Sequence, residues 1–278
     1  MKIEEIVALA LKEDIGDGDH TSLATIPEDA KGKAVLIAKD DGILAGSGVA
    51  KEVFHQVDPL IETNIFIQDG KPIKNGDEIF IVSGKARSLL TAERTALNFL
   101  QRMSGIATFT RKLVNQLEGL NTKLLDTRKT TACNRTIEKL AVQLGGGYNH
   151  RFGLYDMIMI KDNHVDFAGG IQHAIEATHA YLKAKKKHLK IEIEIRNFEE
   201  LKEVLSVGKI DRIMLDNFTP DDMREAIKMI NNTYETEASG NISFNNIRAY
   251  AETGVDFISV GALTHQLKSL DLSLKAIK

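Results

Sequence analysis

The sequence predicts an α/β protein in two parts, a short antiparallel β region followed by a longer stretch of parallel strands alternating with helices. Between Lys33 and Leu90, short apolar runs are separated by the turn dipeptides Asp41-Gly42, Asp69-Gly70 and Asn75-Gly76, as in antiparallel strands joined by tight turns. From Lys123 onward, strand-length runs rich in Ile, Val, Leu and Met alternate with segments of helical period, the pattern of a parallel sheet. A chain of 278 residues, 43% hydrophobic and 27% charged, is long enough for a barrel with a small companion domain.

Ile3, Ile6, Val7, Ala10 and Leu11 recur at helical spacing, and Gly16 and Gly18 end that first helix. Ala34-Val35-Leu36-Ile37, Ile65-Phe66-Ile67 and Ile79-Phe80-Ile81-Val82 supply the antiparallel strands. A helical stretch follows from Thr91 to Leu117, with a break expected near Gly105. Six strands come next: Lys123–Thr127, Met157–Lys161, Lys190–Ile195, Arg212–Asp216, Thr233–Ser239 and Phe257–Gly261. Helical patterns such as Ile137, Leu140, Ala141 and Leu144 lie between them. Six such units suggest a barrel short of the usual eight strands. An open doubly wound sheet is the alternative, although no G-x-G-x-x-G follows the first strand.

A net charge of −3 speaks against a nucleic-acid binder. No run approaches the ~20 apolar residues of a membrane helix, and Met1-Lys2-Ile3-Glu4-Glu5 lacks the features of a signal peptide. Cys133 is the only cysteine, so no internal disulfide or cysteine metal cluster is expected. A cytoplasmic location is the expectation.

In parallel barrels, chemistry gathers where strands end. The six strand ends read Asp126-Thr127-Arg128-Lys129, Lys161-Asp162-Asn163-His164, Glu192-Ile193-Glu194, Asp216-Asn217, Glu237-Ala238-Ser239-Gly240 and Gly261-Ala262. Each delivers charge, or a small residue with accessible backbone N–H, to one face. Arg128, Lys129, His150, Arg151, Lys161 and His164 supply positive charge, while Glu194 and Asp216 suit a hard divalent ion. Ser239-Gly240 and Gly261-Ala262 resemble the phosphate site that barrels build after their late strands. A phosphorylated sugar fits this set, with or without a pyrophosphate. Glu192 and Glu194 share a face by strand alternation; Glu194, nearer the carboxyl end, is the preferred ligand. Lys161 admits two further readings, a structural ion pair and a Schiff-base lysine.

These residues lie in segments that resemble the quinolinate phosphoribosyltransferases, the carboxylating nicotinate-nucleotide pyrophosphorylases. The segments are Glu13-Asp14-Ile15-Gly16-Asp17-Gly18-Asp19-His20-Thr21, Glu93-Arg94-Thr95-Ala96-Leu97-Asn98, Ser104-Gly105-Ile106-Ala107-Thr108 and Thr127-Arg128-Lys129-Thr130-Thr131. They continue with Asn149-His150-Arg151, Lys161-Asp162-Asn163-His164, Leu215-Asp216-Asn217-Phe218, Glu237-Ala238-Ser239-Gly240 and Ser259-Val260-Gly261-Ala262. The resemblance implies an N-terminal α/β sandwich, residues 1–107, and an incomplete parallel α/β barrel, residues 108–265, with the tail 266–278 returning to the first domain. It implies a homodimer in which Arg94 reaches the neighbouring site. Arg128, His150, Arg151 and Lys161 would surround the two carboxylates of quinolinate, with Lys129 between quinolinate and phosphoribosyl pyrophosphate. Glu194 and Asp216 would hold ribose hydroxyls and Mg2+, and Ser239, Gly240, Asn241, Gly261 and Ala262 the 5′-phosphate; Thr127 joins the substrate-binding set. Lys129, Lys161, Glu194 and Asp216 are the expected catalytic residues.

Two positions depart from the family pattern. Asn241 stands where many relatives have a second glycine, and asparagine tolerates positive φ. Ala132-Cys133 replaces a usual proline and glycine. Several motifs have plainer explanations: Gly145-Gly146-Gly147 as a helix stop, Asp14, Asp17 and Asp19 as a turn, and Lys183, Lys185, Lys186 and Lys187 as a solvated helix end. Cys133 is expected to be a packing residue.

Overall fold

The computed structural model describes residues 1–277 and divides into two compact units. The first comprises Met1–Arg111, Thr130–Gly146 and the chain from Leu263 onward; the second comprises Lys112–Lys129 and Gly147–Ala262. Arg135–Leu144 therefore groups with the first unit, whereas the sequence analysis assigns it to the barrel.

The first unit is built on a four-stranded antiparallel sheet ordered Leu272–Ile277, Lys31–Ala38, Glu78–Lys85, Glu62–Ile65. Ala34, Val35, Leu36 and Ala38 on one strand, and Ile79, Phe80 and Val82 on the next, are buried. The C-terminal strand pairs with Lys31–Ala38 from Lys33↔Ile277 to Ala38↔Leu272, so the tail returns to this sheet. The strand expected at Ile65-Phe66-Ile67 lies earlier, at Glu62–Ile65; Phe66 points outward and is exposed. Gly70 and Gly76 adopt φ of 82° and 96°, as their turns require.

The helix expected to break near Gly105 runs unbroken from Ala86 to Gln116. Glycine at 105 serves close approach instead: a Cβ there would stand 2.4 Å from the Lys268 carbonyl oxygen and 3.1 Å from the Ser269 Cα. Gly105→Ala therefore sets a gain in helix propensity of about 1 kcal/mol against overpacking of about 1–3 kcal/mol. Both obstacles are backbone atoms, so a net loss of stability is expected in urea unfolding; a stabilised variant would show that the 268–269 segment yields freely.

The acidic segment after the first helix, Ile3–Ile15, is structural. Asp19 caps His20–Thr25 through the Ser22 N–H and accepts the Thr91 hydroxyl at 3.1 Å, while Asp14 accepts the Thr95 hydroxyl at 3.2 Å. Gly145 ends the Arg135–Leu144 helix, as expected of the glycine run.

The second unit is a six-stranded parallel sheet. Its strands, in chain order, are Lys123–Leu125, Ile158–Ile160, Ile191–Ile195, Arg212–Asp216, Glu235–Ser239 and Phe257–Ser259, all at the six expected places. In space the first lies beside the sixth, followed by the fifth, fourth, third and second. This unidirectional order is that of a barrel, since a doubly wound sheet reverses direction at a switch point. The first and second strands do not pair, so the barrel is incomplete; beside the first, Tyr148 donates to the Leu124 carbonyl and accepts from Asp126 N–H. Alternation sends Ile191, Ile193 and Ile195 to one side of the third strand and Glu192 and Glu194 to the other. Two of the helices between strands start on side-chain caps, Asn197 to Glu200 N–H and Thr219 to Asp222 N–H with Pro220 following.

Candidate active site

Six strands ending on one face bring together Thr127, Arg128, Lys129, Lys161, Glu194, Asp216, Ser239, Gly240 and Gly261. Asn241 and Ala262 directly follow the fifth and sixth ends. His150 and Arg151 arrive on the segment that runs beside the first strand, where Asp126, fully buried, accepts the His150 N–H at 2.8 Å. The Thr127 hydroxyl accepts the Lys129 N–H at 3.0 Å and shapes the turn that carries Arg128 and Lys129. Arg94 is not among the strand ends; it is exposed on the helix Ala86–Gln116 of the first unit.

Lys161 forms an ion pair with Glu194, whose side chain is 11% exposed against 42% for the lysine. The Lys161 N–H donates to His164 Nδ1 at 2.9 Å, so His164 shapes this strand end. Of the two glutamates that share a face, Glu194 reaches open space, whereas Glu192 is wholly buried. Asp216 accepts the Asn217 side-chain amide at 2.6 Å through Oδ2. Glu194 and Asp216 thus offer carboxylate oxygens from adjacent strands. A magnesium ion usually binds through one or two carboxylates, with waters and substrate phosphates completing its shell, and this donor set fits it.

Arg128 and Arg151 lie close enough to repel. Burial and then the neighbouring Arg128 charge hold the Arg151 guanidinium below its ordinary pKa, partly offset by Glu192 and Asp156. Arg151 Nε is buried and has no hydrogen-bond partner among the described residues. Two guanidiniums held together, one with an unmet buried donor, form a site that an anion would relieve.

Behind this surface lies a buried quartet that takes in His150, expected at the quinolinate carboxylates, and Glu192, passed over as a ligand. His150, its side chain 4% exposed, places Nε2 at 3.0 Å from Glu192 and 3.4 Å from Glu237, both fully buried. Arg212 Nη1 stands 2.9 Å from Glu237, and its guanidinium lies 4.0 Å from the centre of the Phe257 ring. The donor atoms of His150, Glu192 and Glu237 fall within 4.8 Å of one another, as in a metal site, but Arg212 already supplies the cation. The repeated Glu-x-Glu at 192–194 and 235–237 was the available sequence signal, since each sets an acidic residue inside a parallel strand.

The quartet retains protons. Burial pushes Glu192 up to about 7, aided by Glu237 and opposed by His150 and Arg212. Burial disfavours charge on His150, but Glu192 and Glu237 outweigh it and raise the ring to about 9. The Arg151 N–H donates to Nδ1 at 2.6 Å, so the proton of the neutral ring sits on Nε2, facing the glutamates. Both groups bind protons more tightly in the folded state, so stability falls as pH rises. The His150 share is complete below its ordinary 6.5 and lost through about 9; that of Glu192 is complete below 4.5 and lost through about 7. The melting temperature is expected to drop between pH 6.5 and 9, and His150→Asn to flatten the upper part of the drop. An equally steep drop in that variant would place the titration elsewhere.

Cys133 is exposed, with φ 65°, and not the packing residue expected. Its left-handed backbone is one that L side chains rarely adopt. The lysines at 183, 185, 186 and 187 are exposed at and just beyond the end of the helix Ile171–Lys185, as expected. Asn241 has φ 50°, the conformation that allows asparagine to stand in for glycine.

Comparison with known proteins agrees with this architecture. Residues 19–104 match the family model "Quinolinate phosphoribosyl transferase, N-terminal domain", and residues 106–275 match the C-terminal domain of the same family. The chain is 43% identical to the chloroplastic nicotinate-nucleotide pyrophosphorylase (carboxylating) of Oryza sativa subsp. japonica, covering 98% of this chain and 77% of that protein. It is 43% identical to a probable enzyme of that name from Bacillus subtilis, covering 99% and 93%. Among solved structures, NadC from Streptococcus pyogenes superposes with a TM-score of 0.93 at 39% identity, over 99% of this chain and 97% of that one. The nicotinate-nucleotide pyrophosphorylase of Francisella tularensis gives 0.92 at 42% identity, over 99% and 96%. With both domains matched in order and over nearly the whole length, this chain belongs to the quinolinate phosphoribosyltransferase family.

Proposed function

We propose that this protein transfers the phosphoribosyl group of phosphoribosyl pyrophosphate to quinolinate with decarboxylation, giving nicotinate mononucleotide, pyrophosphate and CO2. The observation that carries this reading is Arg151, half-buried beside the exposed Arg128, with a buried Nε donor that is unmet among the described residues. A pyridine with two adjacent carboxylates offers acceptors to that Arg151 donor and negative charge to the cations gathered on this face. Lys161, freed from Glu194 by a bound anion, adds a third cation, and His150 holds the backbone of Arg151 in place.

The quinolinate ring nitrogen already has a lone pair, so the protein's task is to aim it at the ribose C1. The new C–N bond forms as the C1–O bond to pyrophosphate breaks, and positive charge builds on the ribose ring. Glu194 and Asp216 face that charge and hold the ribose hydroxyls. Magnesium held by the same two carboxylates would neutralise the departing pyrophosphate. Lys129 lies between donor and acceptor, and the turns at Ser239-Gly240-Asn241 and Gly261-Ala262 receive the 5′-phosphate on backbone N–H groups. Once quaternised, the ring stabilises the electron pair left when the carboxylate beside nitrogen departs as CO2, and that carbon then takes a proton from water; Lys161 and the arginines orient the carboxylates without forming a covalent bond. The protein acts in the cytoplasm as a homodimer, with Arg94 of each protomer reaching the neighbouring site.

Turnover of quinolinate and phosphoribosyl pyrophosphate with magnesium tests this reading, with nicotinate as control. Nicotinate mononucleotide from quinolinate alone, abolished by chelation, supports it. Product from neither acid would redirect attention to other aromatic acids with the same donor.

A further inference from the structure

Asn217 follows the fourth strand of the parallel sheet with a left-handed backbone, φ 58°. Its N–H donates to the Ser239 carbonyl at 2.9 Å, which extends the pairing of the fourth and fifth strands by one residue. The side chain works in two directions. Nδ2 donates to Asp216 Oδ2 at 2.6 Å, and Oδ1 accepts from Asn241 Nδ2 at 3.1 Å. The amide orientation is determined by chemistry, since a carboxylate can only accept and so must face the NH2 group. A Cβ at Gly240 would lie 2.2 Å from Asn217 Oδ1 and 2.8 Å from its backbone nitrogen. Asn217 thus fills the space that a side chain at 240 would need. Asn241, itself left-handed, is held from behind by Asn246 Nδ2 on its carbonyl at 3.1 Å.

We infer that Asn217 is a positioning residue that couples the Asp216 carboxylate to the Ser239-Gly240-Asn241 turn, setting the distance between the ribose-hydroxyl and 5′-phosphate ends of the donor. The inference rests on the proposed donor assignment and extends it. The ligand is an extended phosphorylated ribose, so two subsites correctly formed but wrongly spaced would bind it poorly. Asn241 completes the coupling with a side-chain donor that a second glycine would lack. Among the described residues the side-chain hydrogen bonds of Asn217 run to Asp216 and Asn241 and not to the acceptor-side arginines or Lys161, so its influence falls on the donor.

The test combines calorimetric binding of phosphoribosyl pyrophosphate with steady-state KM values for both substrates. Asn217→Ala is expected to weaken donor binding and raise the donor KM roughly tenfold, with the quinolinate KM within about twofold. Asn241→Gly keeps the left-handed backbone and removes only the outer link, so a smaller, donor-specific rise of about threefold is expected. It also serves as the test should Asn217→Ala fail to fold. Equal rises in both KM values, or unchanged donor binding in the folded variants, would overturn the inference while leaving the donor assignment standing. Wild-type protein that binds no donor would overturn the assignment and the inference together.

Discussion

Replacing Arg151 with alanine is expected to lower kcat/KM for quinolinate by roughly 30-fold to several thousand-fold, the equivalent of about 2–5 kcal/mol for truncating one member of a desolvated charge contact. Burial and the adjacent Arg128 already make the Arg151 charge costly in the free protein, and its Nε has no partner. An incoming carboxylate removes both penalties, so the contact is worth more than an exposed ion pair. Arg151→Lys restores charge but not the forked donor set, and is expected to recover only part of the loss. The effect should centre on quinolinate, with the donor KM little changed. Folding is not at issue to the same degree, because among the described residues the side chain makes a single hydrogen bond, of 3.3 Å to the Met157 carbonyl, besides the longer-range pull of Glu192 and Asp156. A loss below threefold would remove Arg151 from the acceptor site. Lys185→Ala, on an exposed helix end, is the neutral comparison.

Arg212→Ala is expected to destabilise the protein by about 3–5 kcal/mol, the range for leaving a buried charge without its partner. Arg212 is the cation of the quartet and engages Glu237 at 2.9 Å and Glu235 at 3.1 Å while stacking on Phe257. Its loss leaves Glu237, fully buried, with His150 as the one cationic partner among the described residues, beside the Ser259 hydroxyl. Glu237→Gln in the same background should recover part of the loss by removing the orphaned charge, so the two changes should not be additive. Urea unfolding of the two single variants and the double variant measures the coupling. A cost under about 1 kcal/mol for Arg212→Ala, below the usual effect of breaking such a pair, would mean that water or rearrangement replaces the guanidinium.

The two halves of the chain differ in how far local pattern reaches. All six parallel strands stand at the expected places, each with a charged or small residue at or just beyond its carboxyl end, although Glu192 and Glu237 interrupt the buried interior of two of them. That pattern is local, and spacing along the chain is enough to bring Arg128, Lys161, Glu194, Asp216 and Ser239 onto one face. The Ile65-Phe66-Ile67 run misled because a three-residue apolar run does not reveal its own register; sheet pairing placed the strand at Glu62–Ile65 and left Phe66 exposed. Gly105 misled for a related reason: glycine weakens a helix by only about 1 kcal/mol, and the need for the 268–269 backbone to approach decides its presence.

The sequence by itself determined the order of elements, the incomplete parallel sheet and the identity of the residues at its strand ends, since each depends on spacing along the chain. Only the tertiary structure decided how deep each of those residues lies and what it faces. Glu192 and Glu194 have the same chemistry and the same strand face, yet one is sealed beside His150 and Arg212 and the other opens beside Lys161. Asn217 reads as one polar residue in a loop until folding sets Asp216 on one side of its amide and Asn241 on the other. Burial and pairing are set by residues distant in sequence, and desolvation, which depends on both, separates a structural charge from one free to meet a ligand.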